Sequence, residues 1–93
     1  MDLEKGRVVI SKAGHDKNGV FAVIGFENGM ALIADGKERK LEKPKMKNPK
    51  HLELTKRILS ADEIENDKAL FSALKGILYK TDNLQKAEAR EEN

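Results

Sequence analysis

The fold is decided by residues 20–34, which read VFAVIGFENGMALIA. Two apolar runs, Val20 to Phe26 and Met30 to Ala34, flank the dipeptide Asn28-Gly29, which tolerates the positive φ of a tight hairpin turn. Successive side chains of a strand point to opposite faces, and here both faces are apolar. The pattern predicts an antiparallel hairpin that is covered on both faces by other parts of the chain.

Three further short strands are predicted around this hairpin. Residues 6–12 are rich in β-branched side chains, and residues 51–55 alternate polar and apolar side chains. A fourth strand is predicted at residues 39–42, ended by Pro44, because proline has no N–H to donate to a ladder. Five short strands with tight turns predict a small closed or nearly closed barrel, since closure removes exposed sheet edges.

The last third of the chain predicts helix. Residues 60–63 read Ser-Ala-Asp-Glu, a capping-box pattern that indicates a short helix, and Asn66 or Asp67 can cap a longer one. The longer helix carries one apolar stripe, which consists of Leu70, Phe71, Leu74, Ile77 and Leu78. We expect this amphipathic helix to cover the outer face of the sheet, giving one mainly β domain with C-terminal α structure over residues 1–80. The polar residues 81–93 are expected to form a disordered tail.

The composition disfavours several functions. The chain has 93 residues, of which 39% are apolar and none is cysteine. This is too little apolar material for two independent domains, and the lack of thiols removes disulfides, thiolate metal sites and cysteine nucleophiles. The two histidines, His15 and His51, have no partner at helical spacing, and no nucleophile elbow or phosphate-binding glycine loop occurs. We therefore expect no enzyme activity, no catalytic residue, no metal and no cofactor.

No part of the sequence points to a membrane. The apolar runs fall well short of the roughly 20 residues that cross a bilayer, and the first residues lack the apolar segment of a secretion signal. We expect a cytoplasmic, monomeric protein with no membrane partner.

Charge is distributed unevenly along the chain. Residues 37–57 contain nine Lys or Arg against three Glu, a net charge of +6 within a chain whose total is only +2. Such an asymmetry favours a polyanionic partner, although Lys-rich loops also serve simply to keep a small domain soluble. Lysine outnumbers arginine in this segment, which favours contact with phosphates over bidentate reading of bases.

The first two strands and their loop resemble the KOW motif, a β-loop-β element of SH3-like barrels in ribosomal proteins and transcription elongation factors. The matching residues are Gly6-Arg7-Val8-Val9, Gly14, Asp16-Lys17 and Gly19. Asn18 stands where many relatives carry glycine, and asparagine also tolerates the left-handed conformation that such a turn needs. Three later segments are similar to small KOW-domain RNA-binding proteins related to archaeal and eukaryotic large-subunit ribosomal proteins, namely Ala34-Asp35-Gly36, residues 39–45 and Lys50-His51-Leu52.

The resemblance implies a five-stranded SH3-like barrel that binds structured RNA, such as ribosomal RNA, in translation. It places RNA contacts in the first loop, at Lys12, Gly14, His15, Lys17 and Asn18. Basic side chains further along the chain extend the contact surface, namely Arg39, Lys40, Lys43, Lys45, Lys47 and Lys50. Changing Lys43, Lys45 and Lys47 to Glu is expected to weaken binding without unfolding the protein.

Other functions are weighed against this one. Single-stranded RNA is the second choice, because Phe21 and Phe26 are expected to lie in the core and not to stack on bases. DNA is disfavoured, because no recognition helix is evident. The main alternative is a protein-interaction or assembly module that docks on a ribosomal or transcription partner.

Overall fold

The computed structural model describes residues 2–77, and within them the protein is mainly β, with one helix near the C-terminus. The strands are β1 (Arg7–Ser11), β2 (Val20–Glu27), β3 (Met30–Ala34), β4 (Lys45–Lys47) and β5 (Leu52–Ile58). Single 3-10 turns at Pro49–His51 and Asp62–Ile64 follow β4 and β5, and helix α1 occupies 67–77. Leu78, the predicted boundary at residue 80 and the predicted tail lie outside the described residues.

The five strands form one antiparallel sheet in the order β4-β3-β2-β1-β5. Strands β1 to β4 form a meander, and β5 returns to pair with β1. The tight turn between β2 and β3 is confirmed, because Asn28 and Gly29 both have positive φ, 51° and 79°. A closed or nearly closed barrel was predicted, and the described residues do not form the closed one, because no ladder joins β4 to β5.

The fourth strand lies after Pro44 and not before it. The Asp35 carboxylate accepts hydrogen bonds from the amides of Lys37 (2.9 Å) and Arg39 (2.8 Å), which folds residues 35–39 into a turn. The amide of Leu41 donates to Asp67 Oδ1 at 2.8 Å and so attaches this segment to α1. Residues 39–42 therefore make turn and helix contacts in place of the predicted ladder.

Both faces of the sheet are buried, as the sequence predicts. The helix-side cluster packs α1 against the sheet and consists of Val8, Ala22, Ala34, Leu59, Leu70 and Leu74. The opposite cluster consists of Val9, Phe21, Val23, Ala31, Ile33 and Leu52. Neighbouring residues of one strand enter different clusters, which confirms the two-sided pattern. Burial of a leucine such as Leu70, which has no exposed surface, stabilises the fold by about 2 kcal/mol.

Two aromatic side chains that were predicted to be core are exposed. A bulge between Val23 and Gly25 interrupts the alternation of β2 and pairs Phe26 with Ala31 near the hairpin turn, where Phe26 is 49% exposed. Phe71 is 37% exposed, because it follows Leu70 and is rotated by about 100° from it around the helix.

The predicted helix starts are confirmed. The Glu63 amide donates to Ser60 Oγ at 3.3 Å and the Ser60 amide donates to Glu63 Oε1 at 2.9 Å, a capping box that here begins a 3-10 turn. Asn66 Oδ1 accepts from the Ala69 amide at 2.8 Å and caps α1.

Gly36 allows the 35–39 turn to sit directly against the start of α1. Its φ is +82°, and a β-carbon there would lie 3.0 Å from the Phe71 amide nitrogen and would overlap the Asp67 carbonyl oxygen. Glycine is therefore required, and it fixes the turn to the helix.

Within residues 2–77, the helix is not long and apolar enough to span a bilayer.

Candidate functional site

The loop between β1 and β2, residues 12–19, is organised around Asp16. Asp16 Oδ1 lies 2.9 Å from Ser11 Oγ and 2.8 Å from Lys47 Nζ, and Oδ2 lies 2.9 Å from Lys45 Nζ. Lys47 Nζ also donates to the Ala13 carbonyl oxygen at 2.8 Å. These five residues form what we call the Asp16 cluster, in which the Asp16 side chain is only 12% exposed.

The Asp16 cluster joins parts of the sheet that share no backbone ladder. β4 lies at one edge and is separated from β1 by two strands, yet its lysines reach the loop that follows β1. The sheet is therefore strongly curved, and side chains bridge β4 to the loop where the predicted closed barrel would have backbone pairing.

The charge state of Asp16 follows from its partners. Burial by itself would raise the pKa of this carboxyl, but the hydrogen bonds from Lys47 and Ser11 and the close ammonium group of Lys45 together outweigh that effect and hold the pKa well below its usual range. Asp16 is therefore ionised throughout the physiological pH range and holds two ammonium groups in place. It is a structural charge and not a candidate acid or base.

The backbone of the loop is held at both ends. The Ser11 amide donates to the Gly19 carbonyl at 2.9 Å, and the Asn18 amide donates to the Ser11 carbonyl at 2.7 Å. Asn18 takes the left-handed conformation with φ 73°, and Gly14 also has positive φ, 85°. Asn18 thus supplies the conformation for which glycine is typical, and the turn is kept.

The structure brings three of the predicted RNA-contact residues to one cleft. The cleft has a volume of about 560 Å³ and lies between the β1–β2 loop and the 35–39 turn. His15 and Lys17 lie on the loop side, and Arg39 lies on the turn side. The two walls meet because β2 pairs Val20 with Ile10 and Ala22 with Ala34, which places both connections at the same end of the sheet.

The remaining predicted contacts fall into two groups. Lys45 and Lys47 are ion-paired to Asp16, and Lys47 is buried, so its ammonium group faces the protein and not the solvent. The others are exposed and do not line the cleft, namely Lys12, Gly14, Asn18, Lys40, Lys43 and Lys50. The Lys12 amide donates to the His51 carbonyl at 2.8 Å, which holds the start of the loop beside the turn that carries Lys50.

Three acidic residues also line the cleft. Asp16 lies on the loop side, and Asp35 and Glu38 lie on the turn side, where the sequence did not predict them. Asp16 is paired with Lys45 and Lys47, and Asp35 accepts from the amides of its own turn, whereas Glu38 is exposed. The cleft therefore combines the cations Lys17 and Arg39 with one exposed carboxylate acceptor and the apolar surface of Phe21.

A second hollow adjoins the cleft. Its volume is about 350 Å³, and it shares Gly19 and Asp35 with the cleft. Its other lining residues are Val20, Lys37, Phe71, Leu74 and Lys75. The hollow was not predicted from the sequence, because Phe71 was assigned to the core. The one signal of its exposure is that Phe71 follows Leu70 and so lies at the edge of the apolar stripe of α1.

Within residues 2–77, no group of three or more His, Asp or Glu side chains is arranged to hold a metal ion.

Comparison of the sequence with models of protein families and with curated proteins finds no match. The KOW resemblance therefore stays a prediction, and the function has to be argued from the geometry of the loop and its cleft.

Proposed function

We propose that this protein binds structured RNA without catalysing a reaction, as a cytoplasmic domain of the KOW type associated with the large ribosomal subunit. The observation that carries the proposal is the Asp16 cluster. By fixing the β1–β2 loop, it holds His15 and Lys17 opposite Arg39 across the cleft. A loop that is ordered before binding loses less conformational entropy when the complex forms.

Exposed lysines outside the cleft supply the sequence-independent part of binding. Lys40 and Lys43 follow the 35–39 turn, and Lys50 lies in the 3-10 turn next to the start of the loop. Lysine ammonium groups contact phosphate oxygens as point charges, which positions a nucleic acid without reading its sequence. Specificity then comes from the shape of the folded RNA against the cleft.

The proposed barrel relationship has its own support. Four strands form a meander, the fifth returns to the first, and the Asp16 cluster bridges the edge strand β4 to the first loop. An SH3-like barrel would have this arrangement if side-chain contacts, and not a backbone ladder, closed one side of the barrel.

The proposal is tested by titrating the protein with folded ribosomal RNA fragments at several salt concentrations. Neutralising three to five phosphates gives a slope of about −2 to −4 in a plot of log affinity against log salt. Changing Lys17 and Arg39 to Glu should lower the affinity about tenfold or more. The matched control changes Lys5 and Lys56 to Glu, two exposed lysines away from the cleft, and should alter affinity far less.

Two results would count against the proposal. Salt-independent binding, or none, would remove the electrostatic argument and favour the protein-interaction alternative. Equal losses in the two double variants would mean that net charge, and not the cleft, governs association with RNA, and would overturn the assignment of the cleft alone.

A further inference from the structure

Phe71 is an exposed aromatic side chain on α1, in a chain with only three Phe, one Tyr and no Trp. Part of the surface next to the Phe71 ring is apolar, because Val20 and Leu74 line the same hollow. A single exposed apolar residue needs no explanation by itself. The positions of the cations near this ring do need an explanation.

One lysine contacts the exposed ring, and two others lie on the same side of α1. Lys37 Nζ lies 5.6 Å from the centroid of the Phe71 ring, a cation–π contact. Lys75 lines the hollow and lies one turn after Phe71 on α1, and Lys68 lies three residues before it, so both share its side of the helix. An aromatic face with cations around it is the combination that single nucleotides use, with the base on the ring and the phosphate on the lysines.

The hollow is held in a fixed position relative to the cleft. Gly36 packs against the start of α1, and the Leu41 amide donates to Asp67 Oδ1 at 2.8 Å. Gly19 and Asp35 line both the hollow and the cleft. One RNA that fills the cleft therefore passes next to Phe71.

The existing cation–π contact does not block a base. A lysine over an exposed ring contributes a factor of about 2 to 5 in an equilibrium constant, whereas one stacked base contributes about 5- to 150-fold. A base that displaces Lys37 from the ring also frees its ammonium group for the phosphate of the same nucleotide.

We propose that the hollow at Phe71 receives one unpaired base of the bound RNA, stacked on the Phe71 ring with Lys37 and Lys75 on its phosphates. The proposal rests on the RNA binding proposed above, and it changes the expected ligand from a uniform duplex to a structured RNA with a bulged or looped-out nucleotide. The sequence did not predict this site.

A tryptophan in place of Phe71 provides a direct test. The chain has no Trp, so Phe71→Trp introduces a unique fluorophore and keeps the stacking surface. The probes are two RNA hairpins that differ only in one bulged adenosine. We expect the bulged hairpin to quench the emission of the introduced indole strongly and the fully paired hairpin to quench it little, because stacking on a base quenches indole emission. Phe26→Trp is the matched control at the other exposed phenylalanine, 49% exposed, and its emission should be quenched by neither hairpin.

Affinity gives the second measurement. Phe71→Leu keeps an apolar side chain on the helix and should bind the bulged hairpin about 5- to 150-fold more weakly, with binding of the paired hairpin changed less than about twofold. Thermal unfolding of the variant should match the wild type. Wild-type protein that binds neither hairpin would overturn both proposals. Normal binding of the bulged hairpin by Phe71→Leu would overturn the stacked base alone and assign the hollow to an apolar partner.

Discussion

Two groups of lysines in the same basic segment have opposite roles. Lys45 and Lys47 lie in β4 and reach Asp16 with N–O distances of 2.9 and 2.8 Å, and the Lys47 side chain is only 10% exposed. Lys40, Lys43 and Lys50 lie in turns on either side of β4 and are exposed. The first group orders the loop, and the second group is free to meet a partner's phosphates under the proposed function.

The comparison shows why net charge overstates an RNA-contact surface. Residues 37–57 carry a net charge of +6, but three of these cations are paired with carboxylates outside the segment, Lys45 and Lys47 with Asp16 and Arg57 with Glu63. Whether a lysine is available depends on whether its strand places it beside a buried acid. The difference between the two groups is tested by changing one lysine of each group and measuring both the stability of the variants and their RNA binding.

Among single substitutions, the largest effect is expected from removing the buried cation. Lys47→Met should lower the free energy of unfolding by about 3 kcal/mol, because breaking a buried ion pair leaves a desolvated carboxylate with fewer partners. Lys43→Met, its exposed counterpart, should change stability by less than about 0.5 kcal/mol. Urea unfolding of both variants measures the difference, and similar small losses in the two would show that the Asp16 cluster does not stabilise the fold.

The Asp16 cluster also changes the expected result of the triple charge reversal. Lys43, Lys45 and Lys47 were expected to accept Glu without unfolding, but two of these changes place carboxylates against Asp16. Like charges at that distance repel strongly in a partly buried site. The triple variant is therefore expected to unfold, and charge reversal at the cleft is better tested at Lys17 and Arg39.

A smaller effect, which depends on pH, is expected from the carboxylate itself. Asp16→Asn should lower the free energy of unfolding near neutral pH by about 2 kcal/mol, because the hydrogen bonds to a charged acceptor are weakened. Folding lowers the pKa of Asp16 below its unfolded value of about 3.9, so the stabilisation is fully present above that value and is lost as the pH falls further.

Unfolding measurements from about pH 7 to about pH 2 test this pH dependence. The difference between wild type and Asp16→Asn should stay constant down to about pH 5 and shrink below about pH 4. Asp62→Asn, at an exposed carboxylate, serves as the control and should follow the wild type. A difference that does not change with pH would mean that Asp16 acts through its shape and not through its charge.

Local chemistry made much of the fold predictable. Strand β3 was predicted at its observed bounds, because Asn28-Gly29 and Asp35-Gly36 delimit it. The Ser60 capping box and the Asn66 cap were likewise predictable, since each depends on residues three positions apart. The fourth strand was misplaced, because Leu41 binds Asp67, 26 residues further along the chain, and no local pattern reveals that contact.

The site residues stay a prediction, although three of them lie together. The β1–β2 loop was singled out by its resemblance to the KOW motif, and His15, Lys17 and Arg39 share a cleft. The role of Lys47 was not predictable, because its partner Asp16 lies 31 residues away and the two meet only when the sheet curves. Exposure of Phe71 was missed because helical spacing alone does not fix where the edge of a buried stripe falls.

The smallest effect separates two lysines on either side of Pro44. Lys43→Gln should weaken binding of a folded ribosomal RNA fragment a fewfold and reduce the magnitude of the salt slope by about 0.7 to 0.9, as expected when one phosphate contact is lost. Lys45→Gln should leave the slope unchanged, because the Lys45 ammonium group lies 2.9 Å from Asp16 Oδ2 and already has a counterion. Both variants remove one positive charge, so a dependence on net charge predicts equal slopes for them. A salt slope of smaller magnitude for Lys45→Gln than for Lys43→Gln would reverse the assignment of the two groups and place β4 in the RNA contact.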